Sequence, residues 1–222
     1  MRVSIVLWVM VSSLFVAASG VQAQTCFGNV ALTSAAPLAV LGAFVGGSGS
    51  KTLSTTAFLG NDHLFVGAGV GRDSYDGYDD GSTTVRLQAG GQLRAGGRWH
   101  ACPYAGASFA QGPDGAAGGF PYEASARWFD GGVSVGVIAH ERPGLRIVPA
   151  ANFAISRARN TIDFGSAFEV EETTSTSQTL AVGVGFQIGE RFSIQPAVGR
   201  TFSGAGDSNY GLVEVGVSVW RR

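Results

Sequence analysis

Residues 179–188 read TLAVGVGFQI. Leu180, Val182, Val184, Phe186 and Ile188 are large and apolar, while Thr179, Ala181, Gly183, Gly185 and Gln187 are small or polar and carry no charge. Successive strand side chains point to opposite faces, so this segment has one apolar face and one slim face. The pattern recurs. Val85, Leu87, Ala89, Gly91 and Leu93 oppose Arg86, Gln88, Gly90, Gln92 and Arg94. Val133, Val135 and Val137 oppose Ser134 and Gly136, and Val213, Val215, Val217 and Val219 oppose Leu212, Glu214, Gly216 and Ser218. Leu145, Ile147, Pro149, Ala151, Phe153 and Ile155 oppose Arg146, Val148, Ala150, Asn152, Ala154 and Ser156. No long stretch after the N-terminus has helical period.

Turn signals divide the chain into about ten predicted strands, near 37–46, 52–60, 64–73, 83–94, 98–110, 123–140, 145–158, 177–188, 192–202 and 210–220, with eight as the alternative. The connections differ in length. Tight turns are expected at Asn61-Asp62-His63, Gly96-Gly97, Glu141 to Gly144 and Gly189 to Arg191. Longer polar pieces occupy 75–82, 112–122, 160–176 and 203–209, and a Gly-Ser piece fills 47–50. Short connections at one end and long ones at the other are the habit of a transmembrane barrel.

Composition decides which medium the apolar face meets. Charged residues make up 14% of the chain, against roughly 25% in soluble domains. Lys51 is the only lysine. A wet sheet face of this extent needs more charge than that, so lipid is the better solvent for the apolar side. A soluble exported sheet, such as a lipocalin-like cup, is the alternative. The net charge of −1 and the lack of any basic run give no case for nucleic acid.

Arg2, the apolar run 3–18 and Val21-Gln22-Ala23 form a secretory signal with a cleavage site after Ala23. The expected organisation is a signal peptide at 1–23, a periplasmic segment at 24–36 and an all-β, single antiparallel transmembrane β-barrel at 37–222. Cys26 and Cys102 are the two cysteines, and in an exported chain they are expected to pair. That bond would tie the N-terminal segment beneath the barrel.

The signal segment, the Gly-rich alternating strands and the closing hairpin YGLVEVGVSVW together resemble the small bacterial outer-membrane β-barrel proteins of the OmpA/opacity type. The resemblance spans 37–222 and rests on pattern. It implies insertion into the bacterial outer membrane after export, with outer-membrane lipid, lipopolysaccharide and the barrel-assembly machinery as partners. A monomer without cofactor is expected.

Arg86, Arg94, Arg146 and Glu214 fall on the inward phase, with Asp130 beside them, and form the expected lumen charge network. Glu214 pairing with arginines would plug a narrow interior; a narrow, mildly anion-selective pore is the alternative. His63, His100 and His140 are all expected at the short-turn end, with His100 and His140 inward on neighbouring strands. Cys102 lies near them, but the spacing matches no metal pattern, so no metal is expected. No histidine lies in a long loop, so a general base is lacking where an outer-leaflet enzyme would need one. A lipid-modifying enzyme is therefore the third reading. Asp73, Asp76, Asp79 and Asp80 are read as a solvated acidic loop, with calcium as the alternative. Glu169, Glu171 and Glu172 make the 160–176 loop acidic. Trp99, Trp128, Phe129, Tyr122, Tyr210 and Trp220 are expected in aromatic girdles.

Overall fold

The computed structural model describes residues 24–26, 29–31, 38–46, 50–60, 63–75, 81–95, 97–112, 115–117, 120–165, 170–189, 191–204 and 206–218. The expected signal segment, 1–23, and Trp220 lie outside them.

A short hairpin comes first, β1 (Gln24–Cys26) and β2 (Asn29–Ala31). The wall follows: β3 (Leu38–Gly46), β4 (Ser50–Gly60), β5 (Leu64–Tyr75) and β6 (Ser82–Gly91). The short β7 (Leu93–Ala95) leads to β8 (Trp99–Gln111). Next are β9 (Gly115–Ala117), β10 (Phe120–Val137), β11 (His140–Arg142) and β12 (Leu145–Asp163). The wall ends with β13 (Glu171–Ile188), β14 (Phe192–Ser203) and β15 (Ser208–Ser218).

Ten of these strands make one antiparallel ring in the order β3, β4, β5, β6, β8, β10, β12, β13, β14, β15. The ring closes where β15 pairs with β3, from Tyr210 opposite Gly46 to Ser218 opposite Leu38. Ten strands, not eight, is the count among the described residues. Closure leaves no sheet edge at the level of the ring, which is what a strand structure needs in hydrocarbon.

Burial inverts the habit of a soluble protein. Leu53, Val66, Val70, Leu87, Leu180 and Val182 are exposed on the outer face. Gln88, Gln92, Ser108, Ser134, Gln187 and Gln195 are buried on the inner one. On β12 the outward residues are apolar from Leu145 to Ile155 and then change to Arg157 and Arg159. Ten steps of about 3.3 Å, at a tilt of ~40°, give a band about 25 Å tall. That is the thickness expected of the apolar belt of an outer-membrane barrel.

Four expectations need correction. The 160–176 piece is not mainly loop: β12 runs on to Asp163 and β13 begins at Glu171. Its threonines pair across the ladder from Thr173 to Thr176, because β-branched residues suit a pleated sheet even when polar. β10 likewise begins earlier, at Phe120, and it stops at Val137 rather than 140. Register explains the third correction. Gly136 lies opposite Ala150, yet Glu141 lies opposite Arg146, so one extra residue is bulged out at Ile138-Ala139. A one-residue slip moves side chains to the other face. His140 therefore pairs with Ile147 on the outer phase and does not join His100 inside. Fourth, Trp128, Tyr122 and Tyr210 follow the inward phase; of the expected girdle, Trp99 and Phe129 are exposed on the outer face.

Gly144 and Gly189, at φ of 81° and 63°, make the tight turns that precede β12 and β14. Gly189 N–H donates to Gly144 O at 2.8 Å, which ties the two turns together.

Val182 is 53% exposed at the centre of β13, opposite Ala151 and Val198. If lipid covers it, Val182→Arg will destabilise the barrel by about 2–4 kcal/mol. If water covers it, the change will be within about 0.5 kcal/mol. Urea titration of the protein refolded into vesicles distinguishes the two.

Candidate functional site

The inner face carries the chemistry. At its middle, Arg86 Nη2 donates to Asp130 Oδ1 at 3.2 Å. Arg86 is on β6 and Asp130 on β10, so the pair bridges the whole width of β8. Gly106 of β8 makes this possible: a Cβ there would stand 3.1 Å from both carboxylate oxygens of Asp130. The Asp130 side chain is nearly buried, whereas that of Arg86 remains 48% exposed.

Tyr104 on β8 lies beside this pair, within electrostatic reach of both members. Its hydroxyl donates to Asn152 Oδ1 on β12 at 3.1 Å. The ring covers Gly132 of β10, where a Cβ would meet Tyr104 Oη at 2.8 Å. Tyr210 of β15 does the same over Gly199 of β14, where a Cβ would meet its ring at 2.3 Å. The two tyrosines stand on opposite arcs of the ring, within electrostatic reach of each other. Aromatic rings over cross-strand glycines fill the inner wall without adding bulk to the glycine strand.

Asp130, Arg86, Tyr104 and Asn152 thus form one polar belt. Glu214 joins it from the far side, within electrostatic reach of Tyr210. The register sets Glu214 between Gln195 of β14 and Gly42 of β3. Of the other expected network members, Arg146 lies at the short-turn rim. Its Nε donates to Glu141 Oε1 at 3.0 Å and its Nη1 to Gln187 Oε1 at 3.4 Å. Arg94 is placed opposite His100 by the β7–β8 register, and its side chain lies outside the described residues. The arrangement is therefore layered, with a rim pair, a central belt and an upper group, rather than one connected cluster.

The upper group is centred on Asp73. Its carboxylate accepts from Thr52 on β4, from Ser82 Oγ at 3.2 Å and from Thr84 Oγ1 at 3.0 Å. This corrects the acidic-loop reading for Asp73, which is a strand residue held inward by three hydroxyls. Asp76, Asp79 and Asp80 lie outside the described residues. Thr179 and Thr201 hydrogen-bond at 3.1 Å on the wall between β13 and β14.

Towards the short turns the lumen is filled. Cys102, Ser134 and Val148 are fully buried there, and Phe65 packs with Cys102 and Tyr104. His100 is buried and hydrogen-bonded through Nδ1 to Gln92 Nε2 at 3.0 Å. The N-terminal hairpin crosses the ring: β1 lies against β8 and β10, and β2 against β13, β14 and β15. Towards the long loops Thr52, Ser156 and Asn160 are partly covered, while Ser82 and Ala110 are buried. The inner face is thus a cup whose short-turn end is filled.

Tyr104, Asn152 and Tyr210 did not figure among the expected site residues. The inward phase that selected Arg86 and Glu214 also contains all three, so the missing signal was polarity without charge.

No family model matches the chain, and no curated protein matches it. Solved structures do. The β domain of the Bordetella autotransporter BrkA superposes with a TM-score of 0.54 at 13% identity, covering 82% of this chain and 98% of that one. The N-terminal β-barrel domain of Pseudomonas aeruginosa OprF gives 0.38 at 10% identity, over 88% and 98%. Ail of Yersinia pestis gives 0.40 at 9%, over 82% and 98%. The fold is that of an outer-membrane β-barrel.

The belt can be tested by a double-mutant cycle. Asp130→Asn should cost about 1–2 kcal/mol, since the buried carboxylate charge is lost while Arg86 stays half in water. Arg86→Gln in the Asp130→Asn background should cost less than it does alone, as unfolding midpoints in vesicles will read.

Proposed function

We propose that the chain is an integral protein of the bacterial outer membrane, of the small OmpA/opacity kind, exported by residues 1–23. Its role is structural or surface-interactive, carried by polar hairpins outside. The observation that supports this best is the inverted wall: apolar residues exposed around the ring, glutamine and serine buried within it. Outer-membrane lipid and lipopolysaccharide are its surroundings, and the barrel-assembly machinery its partner during insertion. The reading requires no cofactor and treats the barrel as a monomer.

The lumen is read as closed. The crossing hairpin and the belt of Arg86, Asp130 and Tyr104 both stand in the path of a solute. A second reading, a narrow anion-preferring pore, is favoured by the exposed half of Arg86. An enzymatic role is given third place. His63 and His100 stand at the short-turn end and His140 on the outer phase, away from the cup, and a hydrolase base is needed beside its water or nucleophile. In planar bilayers the purified barrel should show no steps of porin size. Ohmic, anion-selective steps would overturn the closed lumen, and an altered lipid A mass on expression would restore the enzyme.

We also read Cys26 and Cys102 as one disulfide. They are the chain's two cysteines, and β1 ends at Cys26 against β8, which carries Cys102. Closing a loop of that length contributes about 4–5 kcal/mol in the chain-entropy model. Denatured protein from outer-membrane fractions should migrate faster without reductant than with it; identical migration would count against the bond.

A further inference from the structure

Cations on the outer face are sorted by height. Lys51, Arg72, Arg127 and Arg157 each border the last large apolar outward residue at the long-loop end of their strands, and Arg159 stands one step beyond Arg157; on β14, Phe202 lies beyond Arg200. Arg72 is bonded to Thr83, Arg200 to Asp207, and Arg159 forms an ion pair with Glu172. Arg127 and Arg157 have no hydrogen-bond or ion-pair partner among the described residues.

The register makes this costly. Arg127 of β10 lies directly opposite Arg159 of β12, and like charges in that position repel. Glu123 and Asp163 lie opposite each other further along the same two strands. Exchanging partners between these pairs would relieve both repulsions. Instead the positive row stands at the end of the apolar band and the negative row beyond it. Neighbouring strands are ~4.8 Å apart and next-nearest residues on one strand ~6.6 Å, so the guanidinium groups of Arg127 and Arg157 can reach one anion, with Arg159 beside them in its pair with Glu172.

The surroundings say which kind of anion. Phe109 lies opposite Arg127 and Phe129 opposite Arg157, and both rings are exposed on the outer face. The three arginines therefore border exposed aromatic surface at the boundary of the hydrocarbon. A phosphate attached to acyl chains satisfies both parts, because guanidinium forks bind phosphate oxygens in pairs. We propose that Arg127, Arg157 and Arg159 form a docking surface for the phosphate of an anionic lipid headgroup, with Phe109 and Phe129 against its chains. This rests on the membrane-barrel reading above.

The test uses the full mature chain refolded into phosphatidylcholine vesicles, with or without phosphatidic acid, and native mass spectrometry of the lipid retained on extraction. Wild type should retain phosphatidic acid in preference to phosphatidylcholine. Arg127→Gln with Arg157→Gln should lower that preference about tenfold. The Arg127→Lys, Arg157→Lys pair keeps the charge and should retain part of it. Arg72→Gln, at a cation already bonded to Thr83, should change nothing. Equal retention by the glutamine double variant, or displacement of the lipid by inorganic phosphate alone, would overturn the proposal. Failure of wild type to insert even into pure phosphatidylcholine, read as a lack of heat-modifiable migration, would instead remove the membrane-barrel reading and this proposal with it.

Discussion

Hydrocarbon offers no hydrogen-bond partner to a peptide group, and the rest of the structure follows from that. Each strand must find both neighbours, so the ladder between β15 and β3 is as necessary as any hairpin. Once the ring closes, each side chain has only two places to go. The outer one accepts valine, leucine and phenylalanine. The inner one is narrow and accepts glycine, serine, glutamine and a few charges that neutralise one another. The inverted burial is thus a result of closure rather than a separate feature.

The interior is organised by backbone space as much as by charge. Asp130 reaches Arg86 because residue 106 is glycine, and Tyr104 reaches Asn152 because residue 132 is glycine. Small residues on one strand allow a neighbour's side chain to lie flat and act two strands away. Ionic and hydroxyl contacts therefore run around the circumference of the wall, and they brace the ring in the direction in which the strand ladders already bind it. A different element, the N-terminal hairpin, meets two separate arcs of the wall.

Much of this was legible in the sequence. Alternation in segments such as 179–188 and 83–94 gave the strands, their inner and outer faces and their number. Membership of the central belt was half legible: Arg86, Asp130 and Glu214 stood out by charge, whereas Tyr104 and Asn152 looked like ordinary strand residues. What the sequence hid was register. The bulge at Ile138-Ala139 has no Gly or Pro to announce it, yet it reverses the side on which His140 falls. Ladder partners chosen across strands decided the rest, including the pairing of Arg146 with Glu141 rather than with a residue on the far wall. The extension of β13 through Thr173–Thr176 was concealed because polarity was weighed above the β-preference of threonine.

The ring is uneven in height, and this has a consequence for how such molecules share a crowded surface. The β13–β14 ladder ends at Ser177 and Ser203, while β13 continues to Glu171 beside β12. Over those last residues the strand offers amides and carbonyls to whatever comes alongside, the usual invitation to strand addition and clumping. Here that border reads Glu-Glu-Thr-Thr-Ser-Thr, four hydroxyl side chains with two glutamates at the tip, of which Glu172 is paired with Arg159. Two copies meeting flank to flank would have to strip water from these carboxylates and hydroxyls, so the tall side of the cup discourages self-association.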